Sequence, residues 1–171
     1  MSNSLYDVTV PPLLKTLHAI ASVMKKAELY CQLNRIDSAL MIAYRLAPDM
    51  LPFARQIQIM TNQAKGMAAR LTGSEIPKYP IEGYPETTFE EMQARVAGTI
   101  EYITSFPRER FDGSASRTVS VRVDGKETSI SSHQYLAESL YPNFYFHATT
   151  AYDILRHAGV QLGKRDFLGW K

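Results

Sequence analysis

The chain has 171 residues, of which 45% are apolar and 21% charged, with a formal net charge of +2. That balance describes a folded globular protein and excludes a disordered one. It also gives no electrostatic footprint for nucleic acid or an anionic membrane. A single cysteine, Cys31, excludes an intramolecular disulfide and a cysteine-based zinc knuckle. No apolar run reaches the roughly 20 residues that span a bilayer, and the first residues show no signal-peptide pattern. The expectation is a cytoplasmic protein forming one domain over 1–171, with no nucleic-acid or membrane partner.

Helical periodicity dominates the chain order. Thr9 reads as the N-cap of a first helix with Pro11 and Pro12 in its first turn. Leu13, Leu17, Ile20, Met24, Ala27 and Cys31 form its apolar stripe. A short apolar segment runs from Asp37, its expected cap, to Leu46. Asp49 is then expected to cap a helix with Pro52 in its first turn. Met50, Phe53, Ile57, Met60, Ala64, Met67 and Leu71 make the cleanest stripe, and Gly73 ends it. Residues 73–85 read as an irregular connection. Thr88 and Glu91 match a capping box opening a third long helix, with Phe89, Met92, Val96, Ile100 and Ile103 on its core face and a stop before Pro107. Thr118–Val123 alternates, Asp124-Gly125 is a turn and Lys126–Ile130 returns, which is a β-hairpin. Ser131 or Ser132 opens the last long helix, and Ser131 with Gln134 matches a capping box. Its stripe is Leu136, Leu140, Phe144, His147, Ala151, Ile154 and Ala158, with a kink expected at Pro142. The economical way to bury four one-sided helices is an all-α four-helix bundle, with one short helix and a hairpin between the third and fourth long helices.

Catalytic motifs are sparse. The four histidines show no i, i+3 or i, i+4 pairing of the kind a helical metal site uses. Only His147 lies in a core stripe, where it reads as a buried, hydrogen-bonded histidine or as an acid–base group or lone metal ligand. Asn143 shares its face. Asp49, Gln56 and Gln63 lie along one line of the second long helix, about 60° from its stripe, so Gln56 meets His147 if these helices are neighbours. Arg55 and Lys65 read as solvated cations. Tyr135, Tyr141, Tyr145 and Tyr152 read as core or as the wall of a small-molecule pocket. No nucleophile elbow, phosphate loop or dinucleotide fingerprint is present.

Two blocks carry a family resemblance. One is Leu46 to Gln58 with Ala64-Lys65-Gly66 and Arg70-Leu71-Thr72-Gly73; the other is Pro142 to Tyr152 with Ile154 to His157 and Gly163 to Gly169. With Leu5-Tyr6-Asp7 and Val10-Pro11, they resemble a bacterial family catalogued as a domain of unknown function within the DinB/YfiT-like superfamily of metalloenzymes. The resemblance implies a DinB-like bundle, a homodimer, and a divalent metal held by one histidine of the second long helix and two of the last. Here Gln56 stands at the first ligand position, His147 matches the second, and Ala151 occupies the third. The resemblance therefore leaves His147 at most as a ligand. The expected function is small-molecule binding near Asp49, Arg55, Gln56, Asn143 and His147, extending to divergent metal-dependent transferase-like chemistry, or else a dimerising scaffold without the metal site.

Overall fold

The computed structural model describes residues 3–76, 86–123 and 125–170. Helix α1 spans Tyr6–Asn34, the short α2 Ser38–Ala43, α3 Phe53–Thr72 and α4 Phe89–Thr104. Two 3-10 turns, Arg108–Phe111 and Ser114–Ser116, lead into β1 (Thr118–Val123) and β2 (Lys126–Ser131). One helical turn, α5 (Ser132–Gln134), runs through a wide segment, Tyr135–Leu140, into α6 (Tyr141–His157), and α7 (Lys164–Leu168) closes the fold. Among the described residues no helix is long and apolar enough to cross a membrane.

The apolar stripes meet in the middle. All six stripe residues of α1, from Leu13 to Cys31, and the six from Phe53 to Leu71 in α3 are buried, while Met50 lies in the loop before α3 and is half-buried. Phe89, Met92, Val96 and Ile103 of α4 join them, as do Phe144, Ala151 and Ile154 of α6.

Pairwise contacts fix the helix directions. Gln93 Nε2 donates to Ala21 O at 2.9 Å and Arg108 pairs with Asp7, so α4 runs antiparallel to α1. Gln56 of α3 meets His147 of α6, and Arg70 meets Tyr135, so α3 and α6 are antiparallel. Phe53 and Phe89 pack with tilted rings, centroids 6.3 Å apart, at the starts of α3 and α4, which are therefore parallel. Parallel neighbours cannot be joined by a tight turn, so one long crossover separates them, a known variant of the four-helix bundle. Its described ends, Gly73–Ile76 and Glu86–Thr88, lie at opposite ends of α3. The expected irregular connection lies outside the described residues over 77–85.

Several helix boundaries differ from expectation. Helix α1 begins at Tyr6, so Thr9 lies inside it, its hydroxyl donating to Leu5 O at 2.7 Å. Pro11 and Pro12 are consequently interior. Pro12 has no N–H for Val8 O, and the Tyr141 hydroxyl supplies the missing donor at 2.5 Å. Asp49 does not cap α3; Pro52 precedes its first residue and no side chain caps it. The Asp37 cap, the Thr88–Glu91 capping box and the Gly73 stop form as read; the Ser131 hydroxyl accepts from Gln134 N–H, but the Gln134 side chain turns to Glu138, so that box is half made.

The expected kink at Pro142 takes the form of a π-type turn. Tyr141 N–H reaches Leu136 O, five residues back, and Asn143 Nδ2 donates to Ser139 O at 2.7 Å. The wider turn and the side-chain amide absorb the carbonyl mismatch that proline creates. The hairpin pairs Thr118 with Ser131 and Val123 with Lys126, while Asp124 of the expected turn lies outside the described residues. Val119 and Val121 bury its inner face, and Arg70 Nε donates to Ser120 O at 3.0 Å, docking it near the end of α3.

Candidate functional site

The α3–α6 interface brings two of the expected residues together. Gln56 lies in the first turn of α3 and is buried; its Nε2 donates to Leu51 O at 2.9 Å. A carbonyl only accepts, so this bond turns Gln56 Oε1 the other way, towards His147 Nδ1 at 2.7 Å. An amide oxygen also only accepts. The proton of a neutral His147 is therefore on Nδ1, and Nε2 carries the lone pair. Burial holds the pKa of His147 below the usual histidine value. The imidazole is 9% exposed and sits edge-on to Phe146, whose ring is 56% exposed, so the pair lies where core meets surface.

The other expected site residues do not converge on this pair. Asp49 is exposed in the loop before α3. Asn143 is exposed and bonded back to its own helix. Arg55 turns to a different face of α3 and donates to Gln58 Oε1 at 2.6 Å. Gln58 Nε2 donates to the Glu86 carboxylate, which also pairs with Arg95. Arg55 is thus a half-buried member of a polar network, and Lys65 is half-buried near the Arg95 charge, in contrast to the solvated cations expected. Burial first, and the Arg95 charge second, lower the pKa of Lys65. Gln58, Glu86 and Arg95 were not singled out from the sequence. The Arg55–Gln58 spacing of one helical turn was visible there; the arrival of Glu86 across the crossover was not.

The donor set does not fit a three-histidine metal centre. Gln56 Oε1 is engaged by an N–H, His147 turns that N–H towards it, and buried Ala151 has no donor atom. Among the described residues no three His, Cys, Asp or Glu side chains are grouped to hold a metal ion. Cys31 is buried, and desolvation raises its thiol pKa, which disfavours the reactive thiolate.

A family model described as a domain of unknown function, DUF1993, matches residues 5–168. A crystal structure of a DinB family member protein from Shewanella denitrificans is 38% identical and superposes with a TM-score of 0.87, covering 98% of this chain and 93% of that one. No curated protein matches the chain.

Proposed function

Because the chain belongs to the DUF1993 family and is DinB-like, we propose that it is a small-molecule-binding member whose polar contact is His147, acting without a three-histidine metal centre. The observation that carries this reading is the chain of bonds from Leu51 O through Gln56 to His147 Nδ1. A partner on one ring nitrogen fixes the tautomer and orientation of the other. Nε2 is then a neutral, oriented acceptor, suited to a hydroxyl, thiol or amide proton of a ligand. If a proton is moved, Nε2 is the base that receives it. Burial keeps the ring neutral near pH 7, as both roles require.

Nitrogen-15 NMR of His147 tests this directly. The expected spectrum places the proton on Nδ1. Titration with a fragment library is expected to give ligands that move the Nε2 resonance and that lose binding in His147→Gln. A proton on Nε2, or a library with no binder sensitive to His147→Gln, would sink the reading.

The surface favours a second reading, a homodimeric scaffold. Leu33 is 75% exposed and Leu40 66%, at the adjoining ends of α1 and α2. Sedimentation at micromolar concentration is expected to give a dimer under this reading, and Leu33→Lys with Leu40→Lys a monomer.

A further inference from the structure

A threonine buried in a helix can satisfy its hydroxyl on the carbonyl one turn back. Thr9, Thr61, Thr72 and Thr99 do so, each donating to the carbonyl four residues earlier at 2.7 or 2.8 Å. Thr150 of α6 is 5% exposed and does not. Its hydroxyl makes no hydrogen bond among the described residues and is not sealed from solvent. A hydroxyl on a buried residue, unpaired and within reach of solvent, is open to a partner from outside the chain.

Its position puts this hydroxyl at the His147 site. Thr150 follows His147 by three residues, so their Cβ atoms stand roughly 5–6 Å apart on neighbouring lines of α6. Phe146 precedes Thr150 by four residues and flanks both, its exposed ring edge-on to the imidazole at 5.2 Å. Helix α3 runs antiparallel to α6, with Gln56 against His147 and Arg70 against Tyr135. The step from His147 to Thr150 therefore leads towards the start of α3 and the exposed Leu51, whose carbonyl anchors Gln56. The nearby amide side chains are engaged, Asn143 with Ser139 O and Gln56 with Leu51 O and the imidazole. His147 Nε2, like the Thr150 hydroxyl, has no partner and is not sealed from solvent.

The two open atoms are a neutral acceptor beside a hydroxyl. With the proton on Nδ1, Nε2 accepts, while the hydroxyl is free to donate. Neither is charged near pH 7. A ligand group that meets both in the same plane offers an N–H and a carbonyl oxygen on one side and no charge. A primary amide or a lactam has that arrangement; a carboxylate has no donor for Nε2.

We infer that Thr150 is the second polar contact of the His147 site, and that the site takes an uncharged primary amide or lactam. Its N–H meets His147 Nε2, its carbonyl meets the Thr150 hydroxyl, and its apolar part lies on the Phe146 ring. This inference rests on the ligand-binding reading of His147. Benzamide is the probe, titrated into the full chain and followed by the His147 ring nitrogens and the Phe146 and Thr150 amides. The expected result is saturable binding at millimolar concentration or below. Thr150→Val should weaken it at least about fivefold, the worth of one hydrogen bond, and Thr150→Ser, which keeps the hydroxyl, should bind as the wild type does. N,N-dimethylbenzamide, which lacks the N–H, and benzyl alcohol, which offers one atom for both contacts, should bind more weakly than benzamide. The urea midpoint of Thr150→Val should not fall, because the hydroxyl it removes is unpaired. A fall would reveal an internal partner and overturn the inference. So would a ligand that depends on His147 yet binds Thr150→Val as tightly as the wild type, which leaves the reading of His147 standing. Equal binding of benzyl alcohol, or failure of benzamide while another fragment binds through His147, would overturn the amide assignment. If neither benzamide nor any fragment depends on His147, the reading of His147 falls and this inference with it.

Discussion

At the scale of single residues, the informative groups are polar atoms in apolar surroundings. Gln56→Leu removes the acceptor of His147 Nδ1–H and the donor to Leu51 O. Leaving such groups unpaired costs about 1–3 kcal/mol, so the urea midpoint is expected to fall accordingly. Tyr135→Phe tests the opposite case. The Tyr135 ring is 1% exposed, its hydroxyl has no well-formed hydrogen bond among the described residues, and the Arg70 guanidinium, 5.4 Å from the ring centroid, is the cation that acts on it. Deleting a buried, unpaired hydroxyl is expected to be neutral or to stabilise by up to about 1 kcal/mol, and a clear loss of stability would reveal a hidden partner. His147 adds a pH dependence. Its folded pKa lies below the unfolded value, because burial disfavours the charged ring. The folded state then binds fewer protons, so stability is full above about pH 6.5 and declines as the pH falls through the lowered folded pKa. Urea unfolding of the wild type and His147→Gln on both sides of that window should show the shallower acid loss in the variant.

At the scale of elements, glycine and capping substitutions separate local from tertiary causes. The Thr88 hydroxyl accepts from Glu91 N–H at 3.1 Å, while Glu91 accepts from Thr87 and Thr88 N–H. Those bonds hold the Glu91 carboxyl below the usual glutamate value. Thr88→Ala is expected to cost about 1 kcal/mol in thermal or urea unfolding. Gly73 and Gly66 should behave differently although both belong to the same α3 block. Gly73 ends α3 at φ +69°, where a Cβ is strained, and Gly73→Ala should destabilise by about 1 kcal/mol. Gly66 is helical, and a Cβ there would meet only the Arg70 guanidinium, with Nη1 at 2.6 Å and Cζ at 3.8 Å. Arg70 must then swing off Tyr135 and Ser120. The helix gains about 1 kcal/mol of propensity in exchange, so Gly66→Ala should leave stability nearly unchanged.

At the scale of the whole molecule, the hairpin is an appendage with a closed base. Ser132 N–H and its hydroxyl both donate to Arg117 O at 3.0 Å, so the chain enters and leaves β1 and β2 at one place. Replacing 118–131 by a short glycine-serine link is expected to keep the helical circular dichroism signal and cooperative unfolding. The melting temperature should drop, because the buried faces of Val119 and Val121 and the Arg70 bond to Ser120 are lost. Loss of cooperative unfolding would instead make the hairpin part of the bundle's core.

The sequence by itself determined the helices, their buried faces and most of their caps. Those features depend on residues within one or two turns of each other, so periodicity and capping chemistry expose them. It also placed Gln56 and His147 on faces that could meet. Tertiary structure decided whether they did, since their 2.7 Å contact joins positions 91 residues apart. It likewise decided that Pro12 sits inside α1, with the Tyr141 hydroxyl of a distant helix replacing the absent amide donor. The parallel course of α3 and α4, the escape of Arg55 into the Gln58–Glu86–Arg95 network, and the seating of Trp170 against α1 are of the same kind. Each depends on which helices become neighbours, and that choice is made by the packing of whole apolar faces, for which the local pattern carries no address.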